Sequence, residues 1–456
     1  MRIAELEGRR VAVWGAGREA RAAWRWLASR LARSPAVICP ATEAAAAAAF
    51  AADAEIVAGA VDADVLSRFD VVVKSPGISP YRSPVPEAQA AGVRLTSGTA
   101  LWFAAHPQAR TLVVTGTKGK SSTTAMVAHL LRAAGRRVVL AGNIGLPLLE
   151  VPDGAAPDWW VVEVSSFQAF DLGGVPEIAV VLNLFPEHLD WHGTVERYYA
   201  DKLRVLGSPQ RRPRACVLNA LQAWPAGAVP TTGVIAFGDA AGFHVADGAI
   251  RRGAREVVRV DAIPLPGEHN ALNLCAALAA VEAAGENAIA LAPSIAGFRP
   301  LPHRLQPLGE RDGVLWVNDS IATTPHATLA ALAHHGDRPV ALIVGGHDRG
   351  VPWDTFAASV AARPPCAIVA TGAAGPRILA ALGSLDASRT HLAGARDLAE
   401  AVALARAALQ QGGVLLLSPG APSFGEFRDY DERGRRFAAL GGFDPDSISH
   451  IEGLGE

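Results

Sequence analysis

The chain has 456 residues, half of them hydrophobic, with 42 Lys+Arg against 44 Asp+Glu and a formal net charge of −2. The near-neutral balance removes the electrostatic case for wrapping nucleic acid or lying on an acidic membrane, and the length suits roughly two to four domains, with about three expected. The chain has no uninterrupted apolar run of spanning length, no apolar signal core at Met1–Glu7 and no metal or redox spacing among Cys39, Cys216, Cys275 and Cys366, so a soluble, cytoplasmic protein is expected.

In chain order, Val11–Trp14 reads as a strand, Gly15-Ala16-Gly17-Arg18 as a turn, and the following stretch to about Leu31 as an amphipathic helix. Strands follow at Ala36–Cys39 and Asp70–Val73, the second leading into Ser75-Pro76-Gly77-Ile78. A new unit opens with Thr111–Val114, the loop Thr115-Gly116-Thr117-Lys118-Gly119-Lys120-Ser121 and a helix stopping near Gly135. Strands recur at Trp159–Val164 and Ile178–Leu182, and a helix spans Asn273–Ala284. The Pro-rich stretch Phe298–Pro302 is the expected linker. Beyond it come a strand at Val314–Val317, a helix opened by Thr324-Pro325, and strands at Val340–Val344 and Val414–Leu417. Strands alternating with helices predict three α/β domains in series, at 1–105, 106–299 and 300–456.

The loop at 115–121 carries the strongest chemical signal. Backbone N–H groups at a strand-to-helix turn favour an anion, and Gly116 and Gly119 let the main chain curl around phosphate oxygens. Lys120 would reach the terminal phosphates and Ser121 would hold Mg²⁺. Val114 stands where a general phosphate loop asks for Gly, and a plain turn would explain the glycines alone. Only four basic residues are Lys (Lys74, Lys118, Lys120, Lys202) against 38 Arg, and two of the four fall in this loop. The earlier Gly15-Ala16-Gly17 turn is weaker: no acidic residue closes the second strand, so a tight turn or another nucleotide explains it as well as NAD.

Other polar groups fall at strand ends. Glu163 is a candidate Mg²⁺ ligand, with capping of the next segment as its alternative. His188 and His192 invite a zinc reading that Pro186 and the missing third ligand oppose; one His beside nucleotide-bound Mg²⁺ and one structural His fit better. Lys202, in the helical stretch Tyr198–Arg204, is either a solvated charge or an amine that reacts with CO₂ to become a carboxylate-like ligand, which Arg cannot do. Asn270 and Asn273 share one helix face, with simple capping by Asn270 as the alternative. Arg304 and Asp319 could meet a nucleotide from across a domain cleft.

In their order along nearly the whole chain, Ser-Pro-Gly-Ile, Thr-Gly-Thr-x-Gly-Lys-Ser, Glu-x-Ser-Ser-Phe-Gln, Glu-His-Leu-Asp, Lys-Leu-Arg, His-Asn-x-x-Asn, His-Arg, Asn-Asp-Ser-x-Ala-Thr and Leu-Ser-Pro resemble the ATP-dependent Mur ligases, in the type that adds glutamate to UDP-N-acetylmuramoyl-L-alanine for peptidoglycan synthesis. The resemblance implies an N-terminal Rossmann-like UDP-binding domain, a central P-loop ATPase domain with a parallel sheet, and a C-terminal Rossmann-like domain for the amino acid. It also implies ATP as co-substrate, two Mg²⁺ ions, an acyl-phosphate intermediate and small-molecule partners only, with the chain a monomer. Residue by residue, Gly116, Thr117, Lys118, Gly119, Lys120, Ser121, Ser122, Asn270, Asn273, Arg304 and Asp319 are implied for ATP. Gly15, Ala16, Gly17, Arg18, Ser75, Gly77 and Asn143 are implied for the UDP-substrate. Ser121 and Glu163 would serve one Mg²⁺, and His188 and carbamylated Lys202 the other, with Lys120, His188 and Lys202 catalytic.

The resemblance places the amino acid at Ile321, Thr323, Arg349, Ser423 and Tyr430, and the departures fall there: Ser418-Pro419-Gly420-Ala421-Pro422-Ser423 differs from the usual Ser-Pro-Ala-x-Ala-Ser. Ile321 replaces the usual Lys of Asn-Asp-Ser-Lys-Ala-Thr, Arg349 replaces another Lys, and Tyr430 stands where Phe is typical. Lys118 stands where Asn is common. These changes resemble a smaller branch of the family that adds L-glutamate. Rival expectations are D-glutamate addition, a folylpolyglutamate-synthase-like ligase, a non-catalytic ATP switch and a nicotinamide-dependent reductase.

Overall fold

A computed structural model describes residues 1–51, 53–152, 154, 157–265, 267–336, 338–409 and 412–449. It divides into two compact units, Met1–Phe298 and a second beginning at Arg299, the break falling inside the predicted linker.

The first unit holds two sheets. The N-terminal sheet has five parallel strands in the order Ile56–Ala58, Ala36–Cys39, Val11–Trp14, Val71–Lys74 and Arg94–Thr96. Its central strands are buried on both faces, as parallel strands covered by helices must be. The first helix, Arg18–Ala28, ends earlier than the sequence suggested, with Ser29 at its C-cap. The edge strands Ile56–Ala58 and Arg94–Thr96 were missed; each has only three residues and is only partly buried, too short a stretch to stand out as a strand.

The second sheet has nine strands, with Thr111–Thr115 between Ile178–Val181 and Trp159–Glu163. Val138–Gly142 forms one edge, while Ala215–Asn219 leads toward an antiparallel extension through Phe243–Ala246, Ala249–Arg252 and Arg255–Arg259. The helix Lys120–Ala133 follows the phosphate loop, and Glu268–Ala283 packs beside it. One continuous cluster of buried side chains joins the first two sheets, from Val11, Trp26 and Leu27 through Trp102 to Trp160 and Val162. That shared core is why two of the three sheets form one unit.

The second unit carries a six-stranded sheet in the order Gln306–Arg311, Val314–Asn318, Gly413–Leu417, Val340–Gly345, Ala367–Thr371 and His391–Gly394, antiparallel only at the first pair. Thr324 caps the helix Pro325–His334 as its sequence suggested, its side chain accepting from Ala327 N–H. Among the described residues, no helix is long and apolar enough to cross a membrane.

Candidate active site

The phosphate loop leaves the carboxyl end of the central strand Thr111–Thr115. Gly116 has φ 152°, and a Cβ there would lie 2.9 Å from the Cβ of Leu182. Gly119, at φ 84°, is the N-cap of Lys120–Ala133, and a Cβ there would meet Asn273 Oδ1 at 2.3 Å. The loop glycines are therefore required by close approach as well as by conformation. Asn273 in turn donates to Asn270 Oδ1 at 3.3 Å. Gly267 is the N-cap of that helix, so the capping alternative for Asn270 is set aside.

Lys120 Nζ lies 3.1 Å from the Gly116 carbonyl and 2.9 Å from that of Thr117. Lys118 points away and donates to Glu187 at 2.6 Å, while Asn183 accepts from Lys118 N–H and donates back to its carbonyl. Thr117 Oγ1 meets the Tyr198 hydroxyl at 2.7 Å. Ser121 and Ser122 occupy the first turn of the helix beyond the loop.

Lys202 lies in the helix Val195–Leu203, which Thr194 caps. Its side chain is buried, and Nζ donates to the Gly116 carbonyl at 2.9 Å. Burial, and then the charge of Lys120, push its amine well below the ordinary lysine range. The solvated-charge alternative thus fails, and the amine lies buried under the phosphate loop.

Glu163 ends the strand next to Thr111–Thr115, level with Val114. It is 1% exposed; Oε1 accepts from Asn143 Nδ2 at 2.5 Å, while Oε2 is buried without a hydrogen-bond partner. Ser165, not Glu163, caps the following helix, through a capping box with Gln168. An orphaned carboxylate oxygen beside a phosphate loop is a donor that suits a hard cation such as Mg²⁺.

His188 has φ 55°, in the left-handed region, and is exposed, its ring 5.0 Å from that of Phe167. Partial desolvation lowers its pKa. His192 is fully buried: its ring bonds Asp201 Oδ2 at 2.8 Å and Ser166 Oγ at 3.0 Å. It is the structural histidine. No group of three or more His, Cys, Asp or Glu among the described residues could hold a metal, which leaves the zinc reading without support.

At the N-terminal sheet, Ser75 follows a strand beside the one that ends before Gly15. Ser75 Oγ bonds the Trp14 carbonyl at 2.9 Å, and a Cβ on Gly15 would come within 2.3 Å of that Oγ. Arg18 reaches the Gly145 carbonyl at 2.9 Å, two residues beyond Asn143. The turn Gly15–Arg18 and the Ser75–Gly77 loop thus lie together at the carboxyl ends of adjacent parallel strands, where α/β sheets bind ligands.

Within the second unit, Asp319 accepts from Leu305 N–H at 3.1 Å and from Ser418 Oγ at 2.7 Å, and burial pushes its pKa up to about 6. Arg304 adjoins His303, whose ring bonds Asn318 and Asp431. Arg433, unnoticed in the sequence, is buried and donates to Ser320, Ala421 and Gly345, tying together the loops of Ile321, Ser423 and Arg349. Ser423 is buried, Ile321, Thr323 and Tyr430 are half-buried, and Arg349 is exposed. Asp348, beside Arg349, is clamped by Arg377, which also bonds the Val351 carbonyl.

The sequence matches three domain families in succession: Mur ligase MurD-like N-terminal domain over residues 9–97, Mur ligase middle domain over 114–281, and Mur ligase glutamate ligase domain over 303–420. It is 54% identical over the full length of both chains to the UDP-N-acetylmuramoyl-L-alanine--L-glutamate ligase of Xanthomonas euvesicatoria.

The chain belongs to the Mur ligase family.

The similarly named Mur ligase of Xylella fastidiosa is 53% identical over all of both chains, and that of Salinispora tropica 39% over 96% of this chain and 98% of its own. Among solved structures, the fold resembles the UDP-N-acetylmuramate-alanine ligase MurC of Thermotoga maritima, with a TM-score of 0.62, 17% identity, and coverage of 95% of this chain and 99% of that one. It also resembles MurF from Acinetobacter baumannii, with a TM-score of 0.56, 18% identity, and coverage of 78% and 89%. Three α/β domains of the Mur ligase kind therefore make up this chain.

Sequence reasoning passed over Lys74, Asp171, Asp201 and Gln168, which hold the first unit's two sheets against each other. Lys74 pairs with Asp171, and Gln168 donates to Glu19 at 3.0 Å. The scarcity of lysine was the available signal for Lys74.

Proposed function

We propose that this Mur ligase joins glutamate to the alanine carboxylate of UDP-N-acetylmuramoyl-L-alanine, at the expense of ATP, in peptidoglycan precursor synthesis. The carboxylate attacks the γ-phosphorus of ATP, ADP leaves, and the acyl phosphate forms. The glutamate amine then adds to the acyl carbon, loses a proton, and expels phosphate to leave the amide. The observation that carries this reading is the convergence on one phosphate loop of Lys120, the buried amine of Lys202 and the unpartnered oxygen of Glu163.

In this reading Lys120 unfolds from the Gly116 and Thr117 carbonyls to meet the transferring phosphoryl group and neutralises its developing charge. Gly116, Thr117, Lys118, Gly119, Ser121 and Ser122 line the phosphates, and Asn270 and Asn273 face the nucleotide. Arg304 and Asp319 of the second unit have the same task. Gly15, Ala16, Gly17, Arg18, Ser75, Gly77 and Asn143 receive the UDP-substrate. Ser121 and Glu163 would hold one Mg²⁺, and His188 and Lys202, as a carbamate, a second; the ions would supply charge neutralisation for phosphoryl transfer. We keep 1–105, 106–299 and 300–456 as the three working parts of a cytoplasmic monomer.

L-glutamate is the isomer we favour. Ile321 offers no cation to a substrate carboxylate, a change that removes about 1.5–3 kcal/mol unless another group substitutes. The glutamate is then held in a different pose, by Arg349, Thr323, Ser423 and Tyr430, and the full-length relatives are named as L-glutamate ligases. The test is phosphate release from ATP-Mg²⁺ with the UDP-acceptor and either isomer. Turnover with L alone is expected. Turnover with D alone would keep the ligase and reverse the stereochemistry, and turnover with neither would remove the acceptor assignment.

A further inference from the structure

Four polar bonds and an aromatic cluster run from the Ser75–Gly77 loop and its continuation into the segments that carry His188 and Lys202. Ser79 Oγ donates to the Trp191 carbonyl at 2.6 Å, and Trp191 Nε1 donates to the Pro76 carbonyl at 3.1 Å. Two residues on, the Tyr81 hydroxyl reaches both oxygens of Asp201, at 2.8 and 2.9 Å. The Tyr81 ring is set edge-on to Phe170 and Trp191, and the Arg197 guanidinium lies 5.0 Å from its centre. Asp201 is itself 2% exposed and also binds the His192 ring and Arg204 at 3.3 Å. Burial and the Asp201 contact push the Tyr81 phenol up to about 12, so it remains a donor at neutral pH.

The next residue after Asp201 is Lys202, bonded to the phosphate loop at Gly116. One rigid helix, Val195–Leu203, is thus gripped by the UDP loop's continuation at residue 201 and by the phosphate loop at residue 202. A phenol bonded to a buried carboxylate is a strong, charge-assisted link, and here it and the bond to the phosphate loop are made by consecutive residues of one helix.

We propose that Tyr81 and Asp201 are positioning residues that couple the UDP-acceptor loop to the phosphate loop, so that binding of acceptor and of nucleotide reinforce one another. The inference rests on the functional reading above. Neither residue touches the reacting atoms. By linkage, the factor by which acceptor tightens nucleotide must equal that by which nucleotide tightens acceptor.

The experiment is calorimetric titration of the full chain with a non-hydrolysable ATP analogue and Mg²⁺, with and without UDP-N-acetylmuramoyl-L-alanine, and then in the reverse order. The unsubstituted protein is expected to bind each ligand at least about fivefold more tightly in the presence of the other, within the usual range of coupling. In Tyr81→Phe the separate affinities should stay within about twofold while the mutual enhancement falls below about twofold. A loss of structure would instead weaken each ligand alone. Asp201→Asn, which keeps the side-chain shape, should do the same and serves if Tyr81→Phe folds poorly. Enhancement that survives in both variants, or is absent from the unsubstituted protein although both ligands bind, would overturn the coupling. Failure of the UDP compound to bind at all would overturn the functional reading and the coupling with it.

Discussion

Asn143 and Glu163 share a 2.5 Å hydrogen bond that occupies one carboxylate oxygen and leaves the other buried and unpartnered. Buried acceptors are nearly always satisfied, and in the proposed site the free oxygen is the one a cation would take. Glu163→Gln replaces that negative donor with a neutral amide of equal size. Turnover should fall at least about a hundredfold with the thermal midpoint little changed, since no packing is lost. A Mg²⁺ titration of activity checks it; a variant within threefold of the parent would take Glu163 out of the site.

Lys202 gives a chemical signature as well as a rate. Its amine, whose pKa burial and then Lys120 push well below the ordinary lysine range, is expected to take up CO₂ reversibly. Enzyme equilibrated with ¹³C-bicarbonate should show a carbamate carbon resonance that is absent from Lys202→Arg, because a guanidinium does not deprotonate. Activity should decline when bicarbonate is removed and return when it is restored. A spectrum identical in the two proteins would mean the amine works unmodified.

Glu19 links the N-terminal sheet to Gln168 and predicts how stability changes with pH. Burial pushes its carboxyl from 4.5 up to about 7. Between those values the unfolded chain releases a proton that the folded chain retains, so stability falls as pH rises through this window and levels above it. The full difference is about 3 kcal/mol. Glu19→Gln should abolish this contribution, making the variant the more stable protein near pH 8 and almost equal to the parent near pH 5. Urea unfolding at the two pH values reads the result directly.

Ile321→Lys restores the cation that D-glutamate enzymes of this type usually carry at this position. Supplying one charge-assisted bond should raise the D-to-L ratio of kcat/KM by roughly 10- to 100-fold. Parallel rates with the two isomers measure it, and an unchanged ratio would place the stereochemical determinant elsewhere.

What the sequence made legible was chemistry set by local spacing. Gly116, Gly119 and Lys120 lie within one strand-to-helix turn, so their joint action follows from backbone geometry. The buried central strands were equally plain, because continuous apolar runs between turn residues leave few alternatives. Ile56–Ala58 and Arg94–Thr96 were not, being three-residue edges with exposed faces. Arg255–Arg259 is half polar and pairs antiparallel, so it carries no parallel-sheet signature. The partners of Asp201 lie at positions 81, 192 and 204, and the reach to Tyr81 cannot be read from spacing. Arg433 was hidden for the same reason: its acceptors are main-chain carbonyls and a serine hydroxyl, which leave no mark in composition.

The common core beneath the first two sheets also decides how the chain comes apart. Trp26 and Leu27 from one sheet's helix and Trp160 and Val162 from the next sheet bury one another's neighbours in a single cluster. Residues 1–105 severed from the remainder would present that apolar surface to water and should be insoluble. Heating the intact chain should melt residues 1–298 in one cooperative step and the portion after Arg299 in another, so that a scanning calorimeter records two endotherms from a protein with three sheets.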